Sequence, residues 1–319
     1  MTPNTLILNL YRGTREIAPL TFQDWALDQL KTLAQFNSAI WGRGGVENGM
    51  AQIYSVHLHH LPPDSLASYA RFRERDTVGA AAMRAMGSTI NTVARTALAA
   101  DPEMYEHHVQ RYGLEYSLNT CIADPRTGLI SFITLFRPES SAPFSEDERC
   151  TVEGVMPHLI ESCQQSRLFQ LSVGDAASGA ARHLAACDSD FVLIAIRDAF
   201  AELLRKEWPE WMPPRLPESV RASLQQSTHS RHSGERIVIT GERVSDLYWL
   251  SARELAPIDA LSPRQLQIAE LTAEGKTHKE IAETLKLAPA TVRNHIDAIY
   301  RKLGIGSRGE LATQLAKRA

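Results

Sequence analysis

Three reciprocal helix-start signals crowd into residues 261–319, and no other feature limits the fold of this chain as strongly. Ser262-Pro-Arg-Gln265, Thr277-His-Lys-Glu280 and Ser307-Arg-Gly-Glu310 each place a hydroxyl three residues before a Gln or Glu. That spacing lets the hydroxyl and the longer side chain satisfy two unpaired backbone N–H groups at a helix start. Gly275 and Gly304 stand where helices would stop, and Pro263 and Pro289 at first helical positions. The spacing predicts four short helices joined by tight turns: Pro263 to Gly275, Thr277 to about Lys286, Pro289 to Leu303, and one from Ser307 through Lys317.

The third of these helices divides cleanly. Val292, Ile296, Ile299 and Leu303 follow at i, i+4, i+7 and i+11 and make one apolar stripe. Arg293, Asn294, Asp297 and Arg301 fall on the opposite side. A short helix, a three-residue turn and a second helix with a polar outer face is the helix-turn-helix arrangement, whose second helix enters the major groove of DNA.

The segment LSPRQLQIAELTAEGKTHKEIAETLKLAPATVRNHIDAIYRKLGIGSRGELA resembles the DNA-binding domain of LuxR-type transcriptional regulators, over about a fifth of the chain. GKTHKEIA, TVRNHI and KLGIGSR carry the resemblance. It implies that Arg293, Asn294 and Asp297 face bases, while Lys279, Thr291, His295 and Lys302 lie near phosphates. Chemistry supports this division. Arginine grips guanine and asparagine grips adenine through two hydrogen bonds, each giving about 1–3 kcal/mol of discrimination. Lysines supply salt-sensitive affinity that ignores sequence. Asp297 can accept from cytosine N4 or merely be tolerated, since it also repels phosphate. Two positions depart from the family: Gln265 replaces Glu, which still closes the box, and Ala288 replaces Ser, which removes a cap of about 1 kcal/mol.

Charge distribution agrees. The net charge of −3 excludes a chain that is basic throughout. Residues 261–319 hold 10 Lys and Arg against 6 Asp and Glu, a net of +4, leaving 24 against 31, a net of −7, for residues 1–260. The 44% apolar and 22% charged composition is that of a globular protein. Cys121, Cys150, Cys163 and Cys187 are scattered, as suits a reducing compartment. The longest apolar runs, such as Phe191–Ile196, are far below the ~20 residues of a membrane span. MTPNTLILNLYRG lacks the pattern of a secretory leader. A cytoplasmic location without membrane attachment is expected.

Upstream, Leu118–Ile122 and Leu129–Phe136 read as strands joined by the turn Asp124-Pro-Arg-Thr-Gly128. Ser145-Glu-Asp-Glu148 caps a helix over 144–171, with Pro157 as a kink and Val152, Val155, Met156, Leu159, Ile160 and Cys163 as its stripe. That stripe is expected to serve at once in the closing helix of a domain and as a dimer surface. YSLNTCIADPRTGLISFITLFRP followed by FSEDERCTVEGVMPHLIES resembles the end of the GAF-like or PAS-like sensor domains that precede LuxR-type helices. A sensor domain over 1–170 is expected, with a linker at Ser172–Ala180. A second small PAS-like α/β unit over 171–256 follows, built from Phe191–Ile196, a helix over Arg197–Trp208, and a hairpin of Arg236–Thr240 and Asp246–Ser251 around Gly241. The DNA-binding domain then takes 257–319. No internal repeat is visible. The expected fold class is an α+β multidomain chain: GAF/PAS-like α/β sensor domains followed by a four-helix LuxR-type helix-turn-helix domain.

Ser55-Val-His-Leu-His-His60 reads as a strand that sets His57 and His59 on one face. His107 and His108 form a second pair. With no carboxylate or thiolate at ligand spacing beside them, pocket lining or surface histidine is favoured over zinc or haem, and neither metal nor cofactor is expected. Aromatic residues concentrate in 1–170 (Trp25, Phe36, Trp41, Tyr54, Tyr69, Phe72, Tyr105, Tyr112 and Tyr116), where core packing competes with a ligand pocket. Trp41, Tyr54, His57 and Arg73 are the candidate ligand residues.

No nucleotide-binding loop, nucleophile elbow or triad spacing is present, so an enzyme is not expected. Leu6–Leu10, read as an opening strand, leads into Tyr11-Arg-Gly-Thr rather than the acidic cluster of a phosphorylation receiver. About 260 residues before the DNA-binding part exceed a single acyl-homoserine-lactone sensor. The expected function is ligand-responsive, sequence-specific transcriptional regulation by a homodimer on double-stranded DNA, with a small-molecule effector and with RNA polymerase as a further partner. The alternatives are a sensor carrying haem, flavin or metal, and a constitutive DNA-binding oligomerisation protein.

Overall fold

The computed structural model describes residues 1–47, 50–125, 127–175, 183–227, 229–244 and 247–316. Helices α1 (Pro3–Glu16) and α2 (Phe22–Leu30) come first. Strands β1 (Ser38–Glu47) and β2 (Met50–His59) follow, then α3 (Asp64–Ala70), α4 (Thr77–Arg84), β3 (Thr89–Val93), α5 (Ala94–Ala97) and α6 (Pro102–Met104). A π-helical turn at Tyr105–Gln110 leads into β4 (Tyr116–Ala123), β5 (Ile130–Arg137) and the 30-residue helix α7 (Glu146–Asp175). The strands form an antiparallel sheet in the order β2-β1-β5-β4-β3.

One face of this sheet carries α1, α2 and α7. Leu6, Leu10, Phe22, Leu27, Trp41, Leu118, Ile133, Leu135 and Met156 form its core. Leu6–Leu10 is therefore helical rather than an opening strand, because Thr2 caps the helix by accepting from the N–H of Thr5 and both leucines face the core. The other face lies under the short helices, around Phe72, Leu98, Met104, Val109 and Phe136.

Helix α7 starts at the expected capping box: Ser145 N–H donates to Glu148 Oε2 at 2.9 Å, and Glu148 N–H to Ser145 Oγ at 3.2 Å. Its stripe from Val152 to Cys163 is buried in the first core, so the stripe is not free to pair with a second chain. The helix runs on to Asp175, so both the expected boundary at 170 and the start of the expected linker fall inside it. Residues 176–180 of that linker lie outside the described residues.

The second unit comprises β6 (His183–Cys187), β7 (Leu193–Ile196), α8 (Asp198–Glu207), α9 (Glu218–Leu224), β8 (His229–Ser233), β9 (Ile237–Val244) and β10 (Leu247–Glu254). Its order is β7-β6-β10-β9-β8. Counted from each unit's own first strand, both sheets read 2-1-5-4-3, a repeat of topology that the sequence conceals. Phe200, Leu203, Leu204, Val220, Leu224, Ile237 and Leu250 fill one side. On the other, Leu184, Ala186 and Ile194 pack on Leu168 of α7. Gly241 is not a hairpin turn: it pairs with Leu250 inside β9, where an added Cβ would come within 2.2 Å of Leu224 Cδ2. Asp246 of the expected hairpin lies outside the described residues.

A single-turn helix at Pro257–Ala260 leads into α10 (Pro263–Ala273), α11 (His278–Leu285), α12 (Pro289–Leu303) and α13 (Arg308–Ala316), the four expected helices. Ile268, Ile281, Val292, Ile296, Ile299, Leu303 and Leu311 make their shared core. Lys317 lies outside the described residues. Among the described residues no helix is long and apolar enough to cross a membrane.

Candidate functional site

A capping box starts α11, and a three-residue turn joins it to α12. Thr277 Oγ1 accepts from the N–H of Glu280 at 3.3 Å, while Glu280 Oε2 accepts from the N–H of Thr277 at 2.7 Å. These bonds, more than the nearby Lys276, hold the Glu280 carboxyl below its ordinary range. Helix α11 ends at Lys286 in a left-handed conformation (φ 54°), and Leu287 and Ala288 complete a three-residue turn. Ala288 gives α12 no side-chain cap, and Pro289 takes the first position. Arg264 donates to the carbonyl of Leu285, bracing the end of α11 against α10. Nothing in the sequence marked Arg264 for this.

With Val292, Ile296, Ile299 and Leu303 buried, Arg293, Asn294 and Asp297 are exposed on adjoining turns of α12. Among the described residues none of the three has an intramolecular partner. Thr291 and Lys279 are exposed nearby, and His295 is half-buried. Lys302 is exposed along its stem but donates to the carbonyl of Ala260. Gln265 closes its box in place of Glu, as expected, with Ser262 N–H donating to Oε1 at 3.0 Å. In the last box Ser307 Oγ accepts from Glu310 N–H, but the Glu310 carboxylate accepts from Gly306 N–H instead of from Ser307.

The profile of the luxR family of bacterial regulatory proteins matches residues 259–315. The spore germination protein GerE of Bacillus subtilis is 34% identical over 68 residues, which is 21% of this chain and 92% of that protein. The chain belongs to the luxR family. It is also 34% identical over 99 residues to the transcriptional regulatory protein DesR of Bacillus subtilis, across 31% of this chain and 46% of DesR. It spans only 7% of the length of two mycobacterial regulators that it matches over 59 residues. Among solved structures, Escherichia coli SdiA aligns over 98% of this luxR-family chain and 96% of its own, at 12% identity and a TM-score of 0.41.

The structure pairs Trp41 of β1 directly with His57 of β2, and sets Tyr54 and Arg73 apart from that pair. Trp41 is 2% exposed inside the first core. Tyr54 is the extra residue of a β-bulge, opposite the Arg43/Gly44 step, and carries the Arg215 guanidinium of the second unit 5.8 Å from its ring centre. Arg73 is exposed on the turn after α3. His57 Nε2 lies 2.9 Å from Asp24 Oδ1. None of the four lines the open depression of about 490 Å³ between the π-helical turn and the end of β5, which Glu115 and Glu139 border. Under the short helices a different aromatic group gathers. His108 has ring centres of Tyr69, Phe72 and Tyr112 at 5.8, 6.4 and 5.3 Å, and Nδ1 is 3.1 Å from Ser68 Oγ. Burial pushes the His108 imidazole below its ordinary range.

The histidines gain a carboxylate that spacing along the sequence did not reveal. Helix α2 brings Asp24 to His57 and also to His59, whose Nδ1 lies 2.8 Å from Asp24 Oδ1. Sequence distances of 33 and 35 residues hid this contact.

Proposed function

We propose that this luxR-family chain is a ligand-responsive, sequence-specific transcriptional regulator of the cytoplasm. In this reading Arg293, Asn294 and Asp297 read bases, and Lys279, Thr291, His295 and Lys302 contact phosphates. One observation carries it: three polar side chains stand exposed and unpartnered on the outer face of α12. Hydrogen-bonding capacity left unused inside the chain is available to base edges. The modest basic excess of residues 261–319 favours a homodimer that places two such helices on half-sites one helical turn apart. A small-molecule effector enters the first unit on the face covered by the short helices, where His108 and its aromatic neighbours offer an apolar lining with few polar groups.

The test is selection of a preferred duplex from random DNA with the full chain, followed by comparison with Arg293→Ala. The variant is expected to lose roughly 5–150-fold of preference for the selected sequence over random DNA, equivalent to about 1–3 kcal/mol. Its weak binding to random DNA is expected to keep its salt dependence. A variant with undiminished preference refutes the assignment of Arg293. Mass spectrometry of small molecules released from the purified chain tests the effector.

A further inference from the structure

We propose that Asp24, His57 and His59 form a site on the first unit for one divalent transition-metal ion of the zinc class, with Asp28 orienting His59 from behind. Strand alternation sets both histidines on the same face of β2, and the first turn of α2 lays Asp24 across them. One oxygen, Asp24 Oδ1, lies 2.9 Å from His57 Nε2 and 2.8 Å from His59 Nδ1, and all three ligand atoms fall within 4.8 Å of one another. Donors on a tetrahedral ion at ~2.0–2.1 Å stand about 3.3 Å apart. An outward shift of about half an ångström by the exposed Asp24 side chain reaches that spacing.

His59 supplies the second observation. It is 1% exposed, and each ring nitrogen faces a carboxylate: Nδ1 faces Asp24, while Nε2 is 3.4 Å from Asp28 Oδ1 and makes no hydrogen bond. A neutral imidazole has one N–H, so one of its nitrogens turns a lone pair toward an anion. An ion on Nδ1 removes the conflict and leaves the proton on Nε2 to donate to Asp28. This is the carboxylate–histidine–metal arrangement that fixes the tautomer of a metal-bound imidazole. Stacking on His60, with ring centres 4.0 Å apart, holds the ring in place.

A neighbouring group, Asp28, His59 and His60, is ruled out as the site. The Lys31 ammonium already lies 3.1 Å from Asp28 Oδ1 and 3.4 Å from His60 Nδ1. Two imidazoles and one carboxylate suit zinc, copper, iron or nickel rather than magnesium or calcium, which prefer oxygen ligands. Asp24 is 51% exposed, so the remaining coordination position opens to solvent.

The test uses the full chain, stripped with a chelator, dialysed and titrated with zinc sulfate. Calorimetry and elemental analysis are expected to give one ion per chain. His57→Gln and Asp24→Asn are expected to weaken binding at least tenfold with circular dichroism unchanged, and Asp28→Asn by roughly 10–100-fold. Buried His59 is left intact so that folding is preserved. Nitrogen NMR of the imidazoles should show His59 Nδ1 shifting when zinc is added. The proposal is overturned if no saturable 1:1 binding occurs, or if His57→Gln and Asp24→Asn both bind zinc as the natural chain does. It is equally overturned if the His59 imidazole signals do not respond to zinc.

Discussion

Replacing Asp259 with asparagine should loosen the joint between the second unit and the DNA-binding domain. Asp259 sits on the single turn Pro257–Ala260, with its side chain 1% exposed. It accepts from Arg253 Nη1 at 2.6 Å and Nη2 at 2.7 Å, from Arg231 Nη2, and from Ala256 N–H at 2.9 Å. Burial alone would raise its pKa, but Arg253, the Ala256 N–H and Arg231 outweigh that and hold the carboxyl well below its ordinary range. Breaking a buried pair costs about 3–5 kcal/mol, because the partner is left charged and unpaired. Here the partners are 19% and 33% exposed and can rehydrate, which lowers the expectation to about 2–3 kcal/mol. A local opening cheaper by that amount exchanges amide hydrogens roughly 30–150 times faster. The assay is exchange followed by mass spectrometry on peptides covering 255–262, for Asp259→Asn against the natural chain at pH 7. Because the folded pKa is depressed, the stabilisation is present above the ordinary value of about 4 and is lost as pH falls through the folded one. The gap between the two proteins should therefore close in acid. Acceleration below about threefold at pH 7, or a gap that widens in acid, refutes the reasoning.

Trp41→Ala empties the largest side-chain volume of the first core and is expected to cost about 3–5 kcal/mol in urea unfolding of that unit. Arg43, 5% exposed, donates from β1 to the carbonyl of Ile194 in the second unit, and burial beside Arg167 pushes its guanidinium down to about 9. Arg43→Met is expected to keep the packing but leave that carbonyl without its donor, speeding exchange in Leu193–Ile196 by an amount equivalent to about 1–3 kcal/mol. Ala288→Ser supplies the absent cap of α12 and is expected to stabilise the DNA-binding domain by about 1 kcal/mol, measured by thermal unfolding followed by helical circular dichroism.

Residues 261–319 were legible because their determinants are local. A cap needs partners three residues apart, so Ser262 with Gln265 and Thr277 with Glu280 announce their helices without tertiary knowledge. The exposed polar face of α12 followed from the buried stripe alone. Elsewhere the deciding contacts join distant residues. Leu6, Ile7, Leu8 and Leu10 make a short apolar run like that of a strand, yet the packing of Leu6 and Leu10 against residues far along the chain makes α1 a helix. Gly241 resembles a turn until Leu224 is seen lying over it. The shared 2-1-5-4-3 order depends on backbone pairing, which leaves side chains free to diverge, so no sequence repeat records it. Asp24 could not be matched to His57 and His59 without the placement of α2.

The two junctions in this chain differ in physical kind. Between the first and second units, α7 runs unbroken through both. Its residues up to Cys163 belong to the first core, and Leu168 packs into the second. Displacing the units there means exposing apolar surface, at about 25 cal/mol per Å². Between the second unit and the DNA-binding domain the two apolar cores stay separate: one ends at Ala252 and the other begins at Ile258. What spans the gap is a polar clamp, Asp259 with Arg231 and Arg253. Water can replace polar contacts at far lower cost than it can replace buried hydrocarbon. An effector changes an equilibrium only by its difference in affinity for the two states, commonly 1–3 kcal/mol. That range is comparable to the expected strength of the clamp and small beside the burial around α7. Asp259 is thus the joint at which a binding energy of that size is sufficient to reposition α12.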